Sequence, residues 1–97
     1  MQIKNILVVC IGNICRSPMA KYWIELQHPT LKVDSAGLSA MVGHPADDKA
    51  ITCMDTVGID IREHHAKQIT ADLIKQSDLI LVMSINQQKH IEQKWPF

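Results

Sequence analysis

The 97-residue sequence holds only four Gly and four Pro, and its aromatics are two Trp, one Tyr and one Phe. So little Gly and Pro excludes a collagen-like chain. With 46% apolar and 21% charged residues, the composition also argues against disorder and coiled coil. Long hydrophobic runs are absent: the longest, residues 6–11, is far short of the ~20 residues of a membrane helix. Neither sign of charge dominates. Ten Lys and Arg meet ten Asp and Glu, and the pI is near 6.9, which removes the basic field that would hold nucleic acid or an anionic membrane. Only residues 1–5 precede the apolar run, and it ends in Gly-Asn rather than a small-residue cleavage site, so no export signal is read.

Cysteine is scarce too. Cys10, Cys15 and Cys53 make no even disulfide set, and without an export signal the expected setting is the reducing cytoplasm. Zinc is not expected: Cys10 and Cys15 have no second close pair of ligands, and His64 and His65 are adjacent rather than spaced along one face. Neither metal nor cofactor is expected.

The length bounds the chain to one small domain. Its end is unusual, because Trp95, Pro96 and Phe97 put two of the few aromatics last. Two readings stand: a terminus tucked into the core, or a chain that stops before its fold does.

Residues 3–10, IKNILVVC, read as a strand buried on both faces. Gly12-Asn13 is a turn signal. Ser17 and Pro18 suit the N-cap and N1 of a helix to about residue 27. Apolar residues at Met19, Ala20, Tyr22, Trp23, Ile24 and Leu26 make its stripe wide enough for two partners. A short strand spans 32–35. A helix over 46–57 buries positions 46, 50, 53, 54 and 57, which places Cys53 in the core, and Gly58 suits its C′ position. Thr70 caps a short helix to 76; residues 78–83, DLILVM, are a second buried strand; Ser84 with Gln87 forms a capping box for a last helix to 94. Strands alternating with helices imply an α/β fold, a parallel doubly wound sheet with right-handed crossovers. Ligands in such sheets sit beyond the carboxyl ends of the strands, where residues 10–17 lie.

That segment reads Cys10-Ile11-Gly12-Asn13-Ile14-Cys15-Arg16-Ser17. A strand, a turn and a helix start aim backbone N–H groups inward and add a positive helix end, which makes an anion nest. Helix end and guanidinium both favour a thiolate at Cys10. Arg16 can clamp two phosphate oxygens. Ser17 can cap the helix or donate to the thiolate, not both at once. These are the parts of a cysteine phosphatase: a nucleophile, a cradle for equatorial oxygens, and charge to stabilise the transition state.

VVCIGNICRSPMA, residues 8–20, resembles the signature of the low-molecular-weight protein tyrosine phosphatases. DSAGL at 34–38, HHAKQI at 64–69 and DLILVM resemble further blocks of that family in the right order, and the bacterial branch fits best. The resemblance implies a three-layer sandwich around a parallel twisted sheet, of the phosphotyrosine phosphatase I type. It implies Cys10 as the nucleophile that forms a phosphocysteine, with Arg16 and the backbone of Ile11, Gly12, Asn13, Ile14, Cys15 and Arg16 binding phosphate. Ser17 would stabilise the thiolate. Asn13, Ser35 and His64 would brace the loop by hydrogen bonds, with His65 left unassigned. Cys15 would pair with Cys10 in a protective disulfide. Ile14 and Met41 would flank the cleft mouth or simply pack. The implied partner is a tyrosine-phosphorylated protein, in bacteria a tyrosine kinase of polysaccharide export.

The family's general acid, an Asp in an Asp-Pro-Tyr or Asp-Pro-Phe motif, has no counterpart: the sequence contains no Asp-Pro, and no Asp follows Asp78. The family also adds a fourth strand and a long final helix, so the expectation is one incomplete domain over 1–97, weakly active or inactive on phosphotyrosine. Residues 78–83 would then be a sheet edge and the first helix partly uncovered, which predicts self-association. A non-catalytic phosphate or phosphotyrosine binder is the rival. An arsenate reductase ranks lower, because the only cysteine outside the loop is Cys53.

Overall fold

The computed structural model describes residues 2–96. Its elements run β1 (Asn5–Cys10), α1 (Arg16–Gln27), β2 (Lys32–Gly37), α2 (Asp48–Asp55), α3 (Ala71–Gln76), β3 (Leu79–Val82) and α4 (Ile85–Lys94). The described strands form a parallel sheet of order β2-β1-β3. β1 is central, which is why its side chains are apolar on both faces. Leu7 and Val9 point to one side, where Ile69, Ile74 and Ile91 join them beneath α3 and α4. Ile6 and Val8 point to the other, against Ala20 and Ile24 of α1. Burying each such side chain contributes about 1.5–3 kcal/mol. A third cluster joins Met19 and Tyr22 of α1 to Ala50 and Met54 of α2. The result is the expected three-layer arrangement.

The wide stripe of α1 thus has two partners, the sheet and α2. Trp23 and Leu26 belong to neither and are 51% and 62% exposed. Trp95 is half-buried against the Leu7–Val9 side; Phe97 lies outside the described residues.

Local signals account for most boundaries. The Thr70 hydroxyl accepts the Leu73 N–H, and the Ser84 hydroxyl accepts that of Gln87. Gln87 reaches back one residue further than a capping box requires, to the Met83 N–H. Gly58 has φ +76, and bonds from Gly58 N to Asp55 O and Ile59 N to Met54 O close the end of α2 around it.

Several expectations need correction. Cys53 is exposed, not core, because α2 turns only the side carrying Ala50 and Met54 to α1; Val57 is likewise exposed. That helix is also shorter than 46–57 because the Asp47 carboxylate caps it through the Lys49 N–H. β3 is not buried on both faces: as the edge of the described sheet it is half-exposed, with Leu79 36% exposed. Ser17 is not the N-cap of α1. The helix begins at Arg16, the cap position falls on Cys15 without a side-chain bond, and Ser17 and Pro18 lie buried in the first turn.

Candidate functional site

Cys10 ends β1 at the carboxyl edge of the sheet, opposite Gly37 of β2, and is buried. Its Sγ lies 2.9 Å from Ser17 Oγ and accepts the Asn13 N–H at 3.3 Å. The Ser17 hydroxyl therefore faces the thiol instead of capping the helix.

Every carbonyl from residue 10 to 15 is engaged. Cys10 O accepts from Leu38 N, Ile11 O from Ser39 N, Gly12 O from Met41 N, Ile14 O from Asp47 N and Cys15 O from Met19 N, while Asn13 O accepts from His64 Nε2 at 2.6 Å. In a planar trans peptide the next residue's N–H points opposite to the carbonyl. Fixing these carbonyls therefore fixes the directions of the N–H groups of residues 11–16. The N–H groups of Gly12, Ile14 and Cys15 meet no acceptor among the described residues. They are donors available to an anion.

Asn13 holds the turn together. It is fully buried and has φ +59, a left-handed conformation that Asn tolerates better than most residues. Its Nδ2 donates to Ser17 Oγ at 2.8 Å and Ser35 Oγ at 3.0 Å, and its Oδ1 accepts the Lys67 N–H at 2.9 Å. His64 is buried, and because a carbonyl can only accept, its Nε2 carries the hydrogen in that bond. Burial pushes the imidazole below its ordinary range, opposed by the bond to Asn13 and aided by the charges of Lys21, His65 and Lys67.

Of the sequence-predicted residues, Asn13, Ser17, Ser35 and His64 are thus brought together around Cys10. Arg16 starts α1 but is exposed, and its guanidinium has no hydrogen bond or ion pair among the described residues. His65 is exposed and outside the network. Cys15 is half-buried against the α1–α2 cluster and forms no disulfide. Ile14 and Met41 both approach Gly12; Ile14 is half-buried and Met41 45% exposed.

Gly12, singled out from the turn, is not sterically required: a Cβ there would meet nothing closer than 3.7 Å. The demanding glycine is Gly37, where a Cβ would lie 2.5 Å from Ile11 O and 3.0 Å from Asn13 N. Its place at a strand end was the available signal. Among the described residues, the acids in the elements around the thiol are engaged elsewhere. The Asp47 carboxylate caps α2; that of Asp34 pairs with Lys67. Asp78 sits at the other end of β1, its carboxyl held below the usual range by the N–H groups of Lys4 and Asn5.

The profile of the family described as low molecular weight phosphotyrosine protein phosphatase matches residues 5–96. The chain is 64% identical over 97 residues to the low molecular weight protein-tyrosine-phosphatase Ptp of Acinetobacter johnsonii, covering 100% of this chain and 68% of that one. It is 51% identical over 94 residues to the probable phosphatase EpsP of Ralstonia solanacearum, covering 97% of this chain and 65% of that one. The crystal structure of the tyrosine phosphatase Wzb from Escherichia coli K30 in complex with sulphate superposes with a TM-score of 0.94 at 37% identity, over 98% of this chain and 66% of that one. The chain spans about two thirds of the length of these relatives.

Proposed function

The chain belongs to the low molecular weight phosphotyrosine protein phosphatase family, and we propose that residues 10–17 form the phosphate site of a phosphotyrosine phosphatase. The carrying observation is the outward fixing of all the carbonyls from residue 10 to 15 around a buried thiol that faces Ser17. In this reading Cys10 attacks phosphorus, the P–O bond to the aryl group breaks, and the phosphoryl group passes to sulfur. Water then attacks the phosphocysteine and releases phosphate. The N–H groups of residues 11–16, apart from the Asn13 N–H that the Cys10 sulfur holds, and the Arg16 guanidinium stabilise the equatorial oxygens. Asn13, Ser35 and His64 hold the loop in place. Cys15 protects the nucleophile by forming a disulfide with it when an oxidant such as peroxide attacks.

The leaving phenolate has a pKa of ~10 and needs a proton, a task worth ~10²–10⁴-fold in rate. These 97 residues contain no Asp-Pro and no Asp beyond residue 78. Their own chemistry is therefore oxyanion binding and phosphocysteine formation from esters with good leaving groups, with very weak turnover of phosphotyrosine. The same absence favours the second reading, a non-catalytic phosphate or phosphotyrosine binder.

The substrate is a tyrosine-phosphorylated protein, with a bacterial tyrosine kinase as one such partner. A reducing cytoplasm suits three free thiols, one of them exposed. Self-association occurs through the β3 edge, beside which a groove of about 500 Å³ is lined by Ile80, Val82, Ile91 and Trp95.

Alkylation by iodoacetate at pH 6, blocked by inorganic phosphate, tests the thiolate and the cradle. Single-turnover release from an activated aryl phosphate then separates the two readings: a stoichiometric burst supports the enzyme, and protection without a burst supports the binder. If phosphate gives no protection, both fail.

A further inference from the structure

Gln68 has no hydrogen bond to the thiol or to the loop of residues 10–16 among the described residues, yet its side chain is doubly committed. Its Oε1 accepts the Ala40 N–H at 2.9 Å, and its Nε2 donates to Leu38 O at 2.7 Å. Only this amide orientation satisfies both bonds. Its backbone bridges Gly37, with Gly37 N donating to Lys67 O and Ile69 N to Gly37 O. One carboxamide thereby fixes the turn that supplies the N–H groups of Leu38, Ser39 and Met41 to the carbonyls of Cys10, Ile11 and Gly12. Those carbonyls set the directions of the N–H groups of Ile11, Gly12 and Asn13.

We infer that Gln68 is a positioning residue that, through the turn at residues 38–41, sets the N–H directions of Ile11 and Gly12 in the oxyanion cradle and of Asn13 on the Cys10 sulfur. It acts through that turn and not by contact with the anion. This rests on the reading of residues 11–16 as a cradle, and the two can be made to fail separately.

The test measures inorganic phosphate binding to the 97-residue protein by calorimetry between pH 4.5 and 7, beside thermal unfolding. Gln68→Met keeps the length and loses both hydrogen bonds. It should weaken phosphate binding about three- to tenfold at every pH, the range expected for one or two hydrogen bonds. Gln68→Glu keeps an acceptor for Ala40 but turns a carboxylate oxygen on Leu38 O. It should be weakened at pH 7 and recover toward wild type as its carboxyl takes up a proton and can donate again. The ratio to wild type cancels the titration of phosphate itself.

Phosphate affinity unchanged in Gln68→Met, even with a lower Tm, overturns the role of Gln68 and leaves the cradle standing. Absence of phosphate binding to wild type overturns the cradle and Gln68 with it. If Gln68→Met does not fold, the Glu variant decides: a ratio that does not vary with pH overturns the proposal.

Discussion

The hydroxyl of Ser17 lies 2.9 Å from Cys10 Sγ while accepting the Asn13 amide hydrogen at 2.8 Å. Either partner can donate while the thiol holds its proton, but a thiolate can only accept, and the hydroxyl then turns its hydrogen to the sulfur. That direction stabilises a thiolate, and it explains why a serine at the start of a helix does not cap it.

Replacing Ser17 with Ala should therefore slow iodoacetate modification of Cys10 at pH 6 by about tenfold or more, since hydrogen bonds to charged groups are worth about 1.5–3 kcal/mol. The change also leaves Asn13 Nδ2 with Ser35 alone. An alkylation rate equal to wild type would remove the hydroxyl from the account of the thiolate.

The two glycines should respond oppositely to a methyl group. At Gly37 the added Cβ meets the backbone of Ile11 and Asn13, which cannot yield without moving the cradle. Gly37→Ala should cost about 2–4 kcal/mol in urea unfolding, in the range of overpacking combined with strain. Gly12→Ala meets only ordinary contacts and should change stability by less than about 1 kcal/mol. Equal costs at the two positions would contradict the close approach at Gly37.

His64 makes stability depend on pH near neutrality. Its folded pKa is below the unfolded 6.5, so between the two values the unfolded chain binds more protons and stability rises with pH. The contribution is full above 6.5 and is lost as pH falls toward the folded value. Asp60 and Asp78, whose carboxyls are held low by backbone N–H groups, act in a lower window: their contribution is present above 3.8 and lost as pH falls through their folded values. Denaturant midpoints from pH 8 to 5 should fall less in His64→Gln than in wild type. Parallel profiles would show that His64 is not the group responsible.

The β3 edge should pair with a second copy. Sedimentation at micromolar concentration should show species above the monomer, and Leu79→Lys, which places a charge on that edge, should shift the distribution toward monomer. A wild-type sample that sediments only as monomer would refute edge pairing.

Much of this was readable because it is local. The apolar run of β1, the Thr70 and Ser84 caps and Gly58 each announce themselves within a few residues, and the alternation of strand and helix gives the layers. The identity of Cys10, Asn13 and Ser17 as neighbours followed from one short segment. What escaped was contact between distant segments. Nothing near Gly37 says that Ile11 passes 2.5 Å from its missing Cβ. Nothing near residue 47 says that its N–H serves Ile14 O while its carboxylate caps α2. Cys53 was misread because helical spacing gives a stripe but not its width.

The turn at residues 38–41 grips the loop with backbone atoms alone. Its side chains, Met41 among them, are released from that duty, and Met41 stands 45% exposed beside Gly12. Met41 can therefore be exchanged without touching the backbone bonds that hold the loop.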